Sequence, residues 1–561
     1  MRSRTALTLI VGLLAGSAAA GTAYPARARS GMVVTVSAIA SQVGVDALRD
    51  GGNAVDATVA TAFALAVTYP SAGNLGGGGL LLYRPASGEP VAYDFRETAP
   101  AGSSPTMFLK NGRYDADLHH NSHLAAGVPG TVAGLYLAWK EQGKLPWRRL
   151  VEPAIALARD GFVVSDDLSR DLQAVLPEMK KYPASLAQFS NNGTPYAMGD
   201  LLKQPDLART LERIAAEGPP GFYSGETALL LEKEMQAGGG LITRADLAAY
   251  RPLRRTPLRG SYRGYEVLGM PPISSGGTAL IQMLNILEPF DLKARGFGAA
   301  STIHLVAEAM RRAFADRARY LGDPEFNPGI PVARLISKEY AAMQRASIRE
   351  DRASVSAPDR FEWPRESAET THLSVVDSER NAVALTYTIE DSFGAKVVVA
   401  GAGFLLNNEM GDFNAGPGLT DASGLVGTEP NLAAPGKRML SSMTPTILAK
   451  DGKLFMVMGS PGGRTIISTV LQTILNVVDH GMNIQEAIDA PRFHHQWLPD
   501  RILHERLGLS PDTLALLASR GHALHAIDAQ GAAEGIVWNA AEDVLEGGWD
   551  PRAPDGAAIG R

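Results

Sequence analysis

The feature that most constrains this chain is a change of hydrophobic period close to residue 370. A polar stretch over residues 350–369 leads into two β-rich runs, 371–377 and 382–388, which are joined by the polar residues 378–381. Two such runs separated by a short polar turn predict a β-hairpin. Because strands and helices occur in runs and do not alternate strictly, we predict an α+β fold of layered sheets covered by helices.

Individual elements can be predicted from local patterns. Asn53 is a capping residue before a helix predicted over residues 54–67, whose apolar character nearly all round indicates burial. The period of residues 302–318 predicts an amphipathic helix, and residues 466–480 are predicted to form another. The short run 403–407 is interpreted as a strand.

Charge and composition exclude several classes of protein. The chain of 561 residues carries 53 Lys and Arg against 59 Asp and Glu, a formal net charge of −6. This small negative charge gives no support to binding of nucleic acid over the whole surface. The chain has no cysteine, which excludes disulfides, thiolate nucleophiles and cysteine-ligated metals.

The first 20 residues have the pattern of an export signal. Arg2 and Arg4 precede an almost uncharged stretch over residues 6–20, which is shorter than a bilayer span of about 20 residues. Residues 18–20 offer a cleavage point, residues 26–28 offer a second, and a retained N-terminal anchor stays open as the alternative. No later run is long and apolar enough to span a membrane, so we expect a periplasmic or secreted protein.

Metal and cofactor motifs do not stand out. The chain lacks H-E-x-x-H and the Walker glycine–lysine motif, and the glycines 76–79 are interpreted as a tight turn. Two groups of histidines leave a metal site open: His119 and His120 with His123, and His494 with His495. Neither group has acidic residues beside it at helical spacing, so we expect ordinary hydrogen-bonded histidines, no metal and no cofactor.

The junction between Glu369 and Thr370 indicates a specific chemistry. A threonine hydroxyl that begins a strand after a polar tether can attack the carbonyl of the preceding residue, and hydrolysis of the resulting ester cuts the chain. The freed α-amine of Thr370, with an ordinary pKa of about 7.7–8.0, then serves its own hydroxyl as general base. Because threonine is common at strand starts, an ordinary structural role for Thr370 stays open on residue type alone.

Motifs along nearly the whole chain resemble the γ-glutamyltransferase family in order and spacing. Those in the second half are residues 370–377 (TTHLSVVD), 386–388 (TYT), 407–413 (NNEMGDF), 440–445 (LSSMTP), 459–463 (GSPGG) and 490–497 (APRFHHQW). Those in the first half are residues 51–57 (GGNAVDA), 76–79 (GGGG), 94–97 (DFRE), 127–131 (GVPGT) and 271–277 (PPISSGG).

The resemblance implies a precursor that cleaves itself between Glu369 and Thr370 into a large subunit, residues 21–369, and a small subunit, residues 370–561. The implied fold is the four-layer αββα sandwich of N-terminal nucleophile hydrolases, with one core built by both subunits. The implied activity is cleavage of γ-glutamyl amides such as glutathione, with transfer of the acyl group to water, an amino acid or a peptide.

The same resemblance implies catalytic roles. Thr370 would be the nucleophile, and the hydroxyl of Thr388 would orient it and assist self-cleavage. The backbone N–H groups of Gly462 and Gly463 would form the oxyanion hole, where glycine permits a close approach. An outward-facing strand threonine stays open as the alternative for Thr388.

The implied binding residues must hold an α-carboxylate and an α-ammonium. Arg96 would bind the carboxylate, since a guanidinium can do so through two hydrogen bonds, and the hydroxyls of Ser441 and Ser442 would add donors. Asp412 and Glu409 would bind the ammonium. A polar turn before a strand stays open as the alternative for the two serines.

This chain departs from the family pattern at Glu390, where several members carry asparagine in the ammonium pocket. Glu390, which Asp391 follows, is a candidate substrate ligand; its carboxylate could strengthen ammonium binding, repel the other acidic groups and raise a pKa, or point away. By the same resemblance, an asparagine at position 412 would indicate a cephalosporin acylase, so the presence of Asp412 implies γ-glutamyl substrates.

A second departure concerns residues 414–437, which resemble a lid loop. Ser423 stands where one bacterial branch of the family carries a tyrosine that closes the pocket. We therefore expect an open acceptor side and more hydrolysis relative to transfer.

Two alternatives are weighed against the γ-glutamyl hydrolase. One is a related amidase that acts on a cephalosporin side chain or a polyglutamate capsule. The other is an unprocessed pseudoenzyme that binds γ-glutamyl peptides, although binding alone has no use for a nucleophile at a cleavable junction.

Overall fold

The hairpin predicted next to residue 370 lies inside one of two seven-stranded sheets. The structure is a computed structural model and describes residues 23–356, 370–419 and 428–561. The strands of the two sheets are, in chain order, Ala26–Ala28 (β1), Gly31–Thr35 (β2), Gly78–Arg84 (β3), Val91–Phe95 (β4), Leu253–Arg255 (β5), Leu258–Tyr262 (β6), Tyr265–Gly269 (β7), Thr371–Asp377 (β8), Ala382–Thr388 (β9), Thr446–Lys450 (β10), Lys453–Gly459 (β11), Glu534–Asn539 (β12), Val544–Trp549 (β13) and Ala557–Gly560 (β14).

Both sheets are antiparallel and mix strands from either side of residue 370. The first sheet has the order β1-β13-β12-β11-β10-β7-β6, and the second has the order β5-β4-β3-β9-β8-β2-β14. Small ribbons pair Leu109–Lys110 with Arg113–Tyr114, Phe162–Val163 with Leu201–Leu202, and Ser190–Asn191 with Thr194–Pro195; a further three-stranded sheet holds Phe493–His494, Ile502–Glu505 and Leu524–Ile527.

Helices cover the outer faces of the two sheets. The longer helices are Ala38–Arg49 (α1), Ala54–Thr68 (α2), Thr131–Gln142 (α3), Trp147–Asp160 (α4), Asp166–Met179 (α5), Pro205–Glu217 (α6), Gly225–Gly238 (α7), Gly276–Leu287 (α8), Ala300–Tyr320 (α9), Lys338–Ala346 (α10), Thr465–Val478 (α11) and Pro511–Ser519 (α12). Shorter helices lie at Ala116–His120, Pro183–Phe189, Pro220–Tyr223, Arg244–Ala249, Leu292–Arg295, Val332–Leu335 and Ile484–Asp489.

The alternation of side chains along the strands produces the layers. In β3, Leu81 and Tyr83 belong to the apolar cluster that contains α1 and α2, whereas Leu80 and Leu82 belong to the cluster that lies between the sheets. The second cluster also takes in α8, α9 and α11 on the far side of the first sheet. Successive strand residues face opposite sides, so the order is helices, sheet, sheet, helices, and the predicted αββα sandwich is confirmed.

Most of the predicted elements are confirmed. The hairpin is β8 and β9, with Thr371 opposite Tyr387 at its open end. The capped helix is α2, which is buried along its whole length, and Asn53 accepts from the N–H groups of Val55 and Asp56. The amphipathic helix 302–318 lies within α9.

The strand interpreted at residues 403–407 is wrong. Within the described stretch 370–419, this run forms no strand; Leu406 N–H donates to Val397 and Val399 N–H donates to Phe404 across a tight loop. Gly403 has a φ of +77°, a left-handed conformation that glycine adopts readily and that interrupts an extended chain. The backbone groups of this run are therefore hydrogen-bonded within the loop and do not pair with a strand of a sheet.

In the described part of the chain, no helix has the length and apolar character needed to cross a bilayer. The proposed export signal over residues 1–20 lies outside the described residues.

Candidate active site

The residues assigned from the family resemblance converge on one small pocket. It is lined by Arg96, Thr370, Thr388, Glu390, Glu409, Asp412, Ser441, Ser442, Met443, Gly463 and Ile466. Gly462 is outside this set of described lining residues but directly precedes Gly463. Glu369 and Ser423 lie outside the described residues. The pocket volume is about 20 Å³, which is room for about one water molecule.

Thr370 is placed by the hairpin. Thr371 and Tyr387 form the last pair of the β8–β9 ladder, so Thr370 and Thr388 are the next residues outward on the two strands. Both are buried, with 4% and 3% of their surface exposed. Thr388 therefore does not face solvent, and its hydroxyl accepts a hydrogen bond of 2.8 Å from the N–H of Glu390.

Arg96 follows β4 directly and is fully buried in a cluster of carboxyls. Its guanidinium forms ion pairs with Glu409 and Asp412, and Glu97 Oε2 lies 3.7 Å away. Burial by itself lowers the pKa of Arg96, but the carboxylates of Glu409, Asp412 and Glu97 more than offset that effect and raise it. The guanidinium is therefore a permanent charge at the base of the pocket.

The acidic residues around Arg96 hold protons tightly. Burial raises the pKa of Glu409 to about 8, against the opposing charge of Arg96. Burial likewise raises the pKa of Glu97 to about 8. Burial, and then the neighbouring charge of Asp391, raise the pKa of Glu390 well above its ordinary value. Removal from water and the neighbouring carboxyls favour the protonated form of these groups, while the guanidinium of Arg96 favours the ionised form of Glu409.

Ser441 and Ser442 are held by the first half of the chain. Ser441 N–H donates to Ile273, and its carbonyl accepts from Ser275 N–H. Ser442 Oγ accepts a hydrogen bond of 2.7 Å from Arg317 of α9. Both serines are buried in the pocket wall.

Sequence reasoning missed Arg317, which also donates to Ser275 Oγ at 2.7 Å. A signal for it exists: Arg317 continues the apolar stripe of α9 formed by Val306, Met310 and Ala313, at spacings of three and four residues. A cation on an apolar stripe indicates a buried polar contact.

The loop before α11 has a conformation that only glycine adopts readily. Gly462 has a φ of +127° and Gly463 a φ of +54°. The Gly462 carbonyl accepts from both Thr465 Oγ1 at 2.7 Å and Thr465 N–H at 3.0 Å. The loop therefore brings the positive N-terminal end of α11, with its backbone N–H groups, to the pocket.

Another feature was not foreseen from the sequence. His120, at the end of the helix Ala116–His120, lies with Nδ1 3.5 Å from Glu390 Oε1. His119 was interpreted as an ordinary hydrogen-bonded histidine, and its ring nitrogens do lie 3.0 Å from Tyr114 Oη and from the carbonyl of Met410.

The chain is similar to known proteins along nearly its whole length. The family model described as Gamma-glutamyltranspeptidase matches residues 40–560. A glutathione hydrolase proenzyme from Escherichia coli K12 is 49% identical over 542 residues, which are 96% of this chain and 93% of that protein.

Two solved structures extend the comparison. A cephalosporin acylase from Bacillus halodurans superposes with a TM-score of 0.85 at 27% identity and covers 97% of this chain and 98% of its own. A gamma-glutamyltranspeptidase chain from Helicobacter pylori superposes with a TM-score of 0.56 at 46% identity and covers 56% of this chain and 91% of its own.

Proposed function

The chain belongs to the γ-glutamyltranspeptidase family, and we propose that it acts through Thr370, which cleavage after Glu369 frees as a new N-terminus. It is an enzyme of the glutathione hydrolase type, which cleaves γ-glutamyl amides and passes the acyl group to water or to an amine. The observation that supports the site is the convergence of Thr370, Arg96 and Gly463 on one pocket, although they lie far apart in sequence.

Maturation is the first step. The hydroxyl of Thr370 attacks the carbonyl carbon of Glu369, the amide nitrogen leaves as the α-amine of Thr370, and water hydrolyses the ester. Residues 21–369 and 370–561 become two chains of one enzyme. Thr388 lies opposite Thr370 at the open end of the hairpin, and its bond to the N–H of Glu390 holds it in place.

Turnover uses the same hydroxyl a second time. The α-amine of Thr370 takes the hydroxyl proton as Oγ attacks the γ-carbonyl of the donor, and the proton then passes to the departing amine. The N–H groups of Gly462 and Gly463 stabilise the negative oxygen of the tetrahedral intermediate, a contribution typically worth about 10²–10³ in rate per donor. Water or an acceptor amine then attacks the γ-glutamyl ester.

Substrate binding exchanges one set of ion pairs for another. Arg96 already pairs with Glu409 and Asp412. A γ-glutamyl group brings an α-carboxylate for Arg96 and an α-ammonium for the two acidic residues, so no charge is left unpaired when the internal pairs open. Because the pocket holds only about 20 Å³, we expect these side chains to move apart when a donor binds.

This exchange selects for a donor with both charges. A glutaryl amide has the same acyl chain without the α-amine, so it would leave buried carboxyls unpaired. We expect kcat/KM for γ-glutamyl anilide to exceed that for glutaryl anilide by at least about 10²-fold. Comparable values for the two anilides would favour the acylase alternative instead.

The decisive experiment is intact mass and N-terminal sequencing of the purified protein, together with turnover of γ-glutamyl anilide. We expect two chains, the shorter beginning at Thr370. Thr370→Ala should remain a single chain without turnover, and Thr370→Ser, which keeps a hydroxyl, should still be cut. Normal cleavage or turnover in Thr370→Ala would exclude the proposed nucleophile.

Export is the remaining part of the proposal. Residues 1–20 have the composition of a signal sequence, so the protein should be found in the periplasm or medium of a bacterial host. A version lacking these residues should stay in the cytoplasm; equal export of both would contradict the signal.

A further inference from the structure

A candidate ligand set lies at the edge of the pocket and includes one of its lining carboxyls. One nitrogen of His120 and one carboxylate oxygen each from Glu390 and Asp391 lie within 4.8 Å of one another. His120 and Asp391 are partly exposed, while Glu390 is buried and lines the pocket. We propose that these three side chains bind a divalent transition metal such as Zn²⁺, and that the bound metal inhibits the enzyme.

The donor set suits zinc. Zn²⁺ takes imidazole nitrogen and carboxylate oxygen at about 2.0–2.2 Å, so two ligands of one ion lie at most about 4 Å apart. The three donor atoms lie within 4.8 Å of one another, so they would have to move closer together to share one ion. Three protein ligands leave the fourth position of a tetrahedral ion open to water.

Surrounding residues hold the ligands in place. Asn408, which is fully buried, donates to the carbonyl of His120 at 3.0 Å and to Asp391 Oδ2 at 2.7 Å, and its own oxygen accepts from Asp391 N–H at 3.0 Å. One side chain thus fixes the helix end that carries His120 relative to Asp391. The imidazole of His120 also packs on the ring of His119 at 4.4 Å.

A glycine keeps the space between the donors open. A Cβ at Gly411 would lie 2.4 Å from His120 Nδ1 and 2.6 Å from both carboxylate oxygens of Glu390. Any other residue there would push the imidazole and the carboxylate apart. Lys396 Nζ lies 3.7 Å from Asp391 Oδ2 and competes with the metal, so we expect a reversible site and not a permanently loaded one.

The inhibitory consequence rests on the proposed function, whereas the binding itself does not. A metal on Glu390 occupies a carboxylate that lines the donor pocket and adds positive charge where the α-ammonium of the donor is expected. Zn²⁺ should therefore compete with the γ-glutamyl donor, raising its apparent KM with little change in kcat.

The test is equilibrium binding of Zn²⁺ to the full-length protein without substrate, with Mg²⁺ as a second probe. We expect one Zn²⁺ per molecule, at least tenfold weaker binding in His120→Ala, and no binding of Mg²⁺ at the same concentration. His525→Ala removes an exposed imidazole elsewhere and should bind as the parent does.

The outcomes separate the two claims. Unchanged zinc binding in His120→Ala, or none in the parent, would overturn the site. If His120→Ala loses zinc binding but the parent shows no γ-glutamyl turnover, the metal site would be supported and the proposed function would be rejected. Noncompetitive inhibition, or inhibition that persists in His120→Ala, would overturn the inhibitory consequence.

Discussion

At the scale of single residues, the pocket depends on one guanidinium that shares its charge among several carboxyls. Arg96 is fully buried and paired with Glu409 and Asp412. Removing one partner of a buried ion pair typically costs about 3–5 kcal/mol, because the other charge stays buried and unpaired. Arg96 therefore stabilises the folded state in addition to its proposed role in binding the substrate, and only a substitution that keeps the charge can separate these two roles.

Arg96→Lys should retain the fold and lose specificity for the donor. Lysine keeps the positive charge but offers no planar pair of donors to a carboxylate. The loss of one charge-assisted hydrogen bond, about 1.5–3 kcal/mol, predicts a fall in kcat/KM of roughly 10- to 100-fold. Steady-state kinetics measure this, and an unchanged kcat/KM would remove Arg96 from the site.

Two controls accompany that variant. Arg263→Lys alters another arginine, which pairs with Asp479, and should leave kcat/KM unchanged. Arg96→Ala should lower the melting temperature markedly, since it leaves the carboxyls of Glu409 and Asp412 without their cation.

Stability should depend on pH through the buried glutamates. The pKa of Glu409 is about 8 in the folded chain, raised chiefly by burial from an ordinary 4.5. Its proton is therefore held more tightly in the folded state, so the stability it contributes is complete below about pH 4.5 and is lost as the pH rises towards about 8. Glu97 adds a contribution of the same sign.

Glu409→Gln should flatten this dependence. Placed in the uncut Thr370→Ala chain, so that processing does not vary, the substitution removes one titrating group and keeps its shape. The difference in melting temperature, parent minus variant, should decrease as the pH rises from about 5 to about 8. Parallel melting profiles across that range would show that Glu409 titrates normally.

At the scale of elements, local pattern was sufficient where neighbouring residues decide the structure. The alternation of residues 371–377 and 382–388 and their polar turn predicted β8 and β9, and Asn53 predicted the start of α2. The pattern at residues 403–407 failed because the loop pairs with itself around Gly403, a choice that depends on contacts with α6 at Leu207. Propensity alone does not carry such tertiary information.

The loop before α11 provides a test of backbone geometry. Gly463→Ala places a Cβ at a φ of +54°, which costs about 1–2 kcal/mol for a residue other than glycine and shifts the proposed oxyanion donors. We expect kcat to fall by about 10²–10³-fold, with a smaller change in KM.

Gly481→Ala is the matched control for that strain. Gly481 has a φ of +71°, and a Cβ added there would have no described atom within 4 Å. It should lower the melting temperature by an amount similar to Gly463→Ala and leave kcat unchanged. An equal fall of kcat in both variants would mean that strain, and not the position of the donors, is responsible.

At the scale of the whole molecule, the site exists only because distant segments share sheets. β4, which carries Arg96 directly after its last residue, is joined through β3 to β9, which carries Thr388. Spacing within the sequence could not show this neighbourhood; the family resemblance supplied the residues, and the sheet order explains why they meet. The contact of His120 with Glu390 was missed for the same reason, because a helix in the first half packs against a turn after β9.

The mixed sheets also predict how the cleaved enzyme behaves. The first sheet combines β1, β6 and β7 with β10 to β13, and the second combines β2 to β5 with β8, β9 and β14. Cutting before Thr370 therefore leaves both chains within both sheets and both apolar clusters. Separating them would expose the interior of each sheet, which is equivalent to unfolding the molecule.

The two chains should accordingly stay together until the protein unfolds. In size-exclusion chromatography, the cleaved enzyme should elute with the uncut Thr370→Ala protein under native conditions and resolve into two chains only in concentrated guanidinium chloride. Thermal unfolding should show both chains losing structure in one transition, because neither retains a complete sheet alone. Elution of a free, folded chain under native conditions would contradict the shared core and assign each subunit a fold of its own.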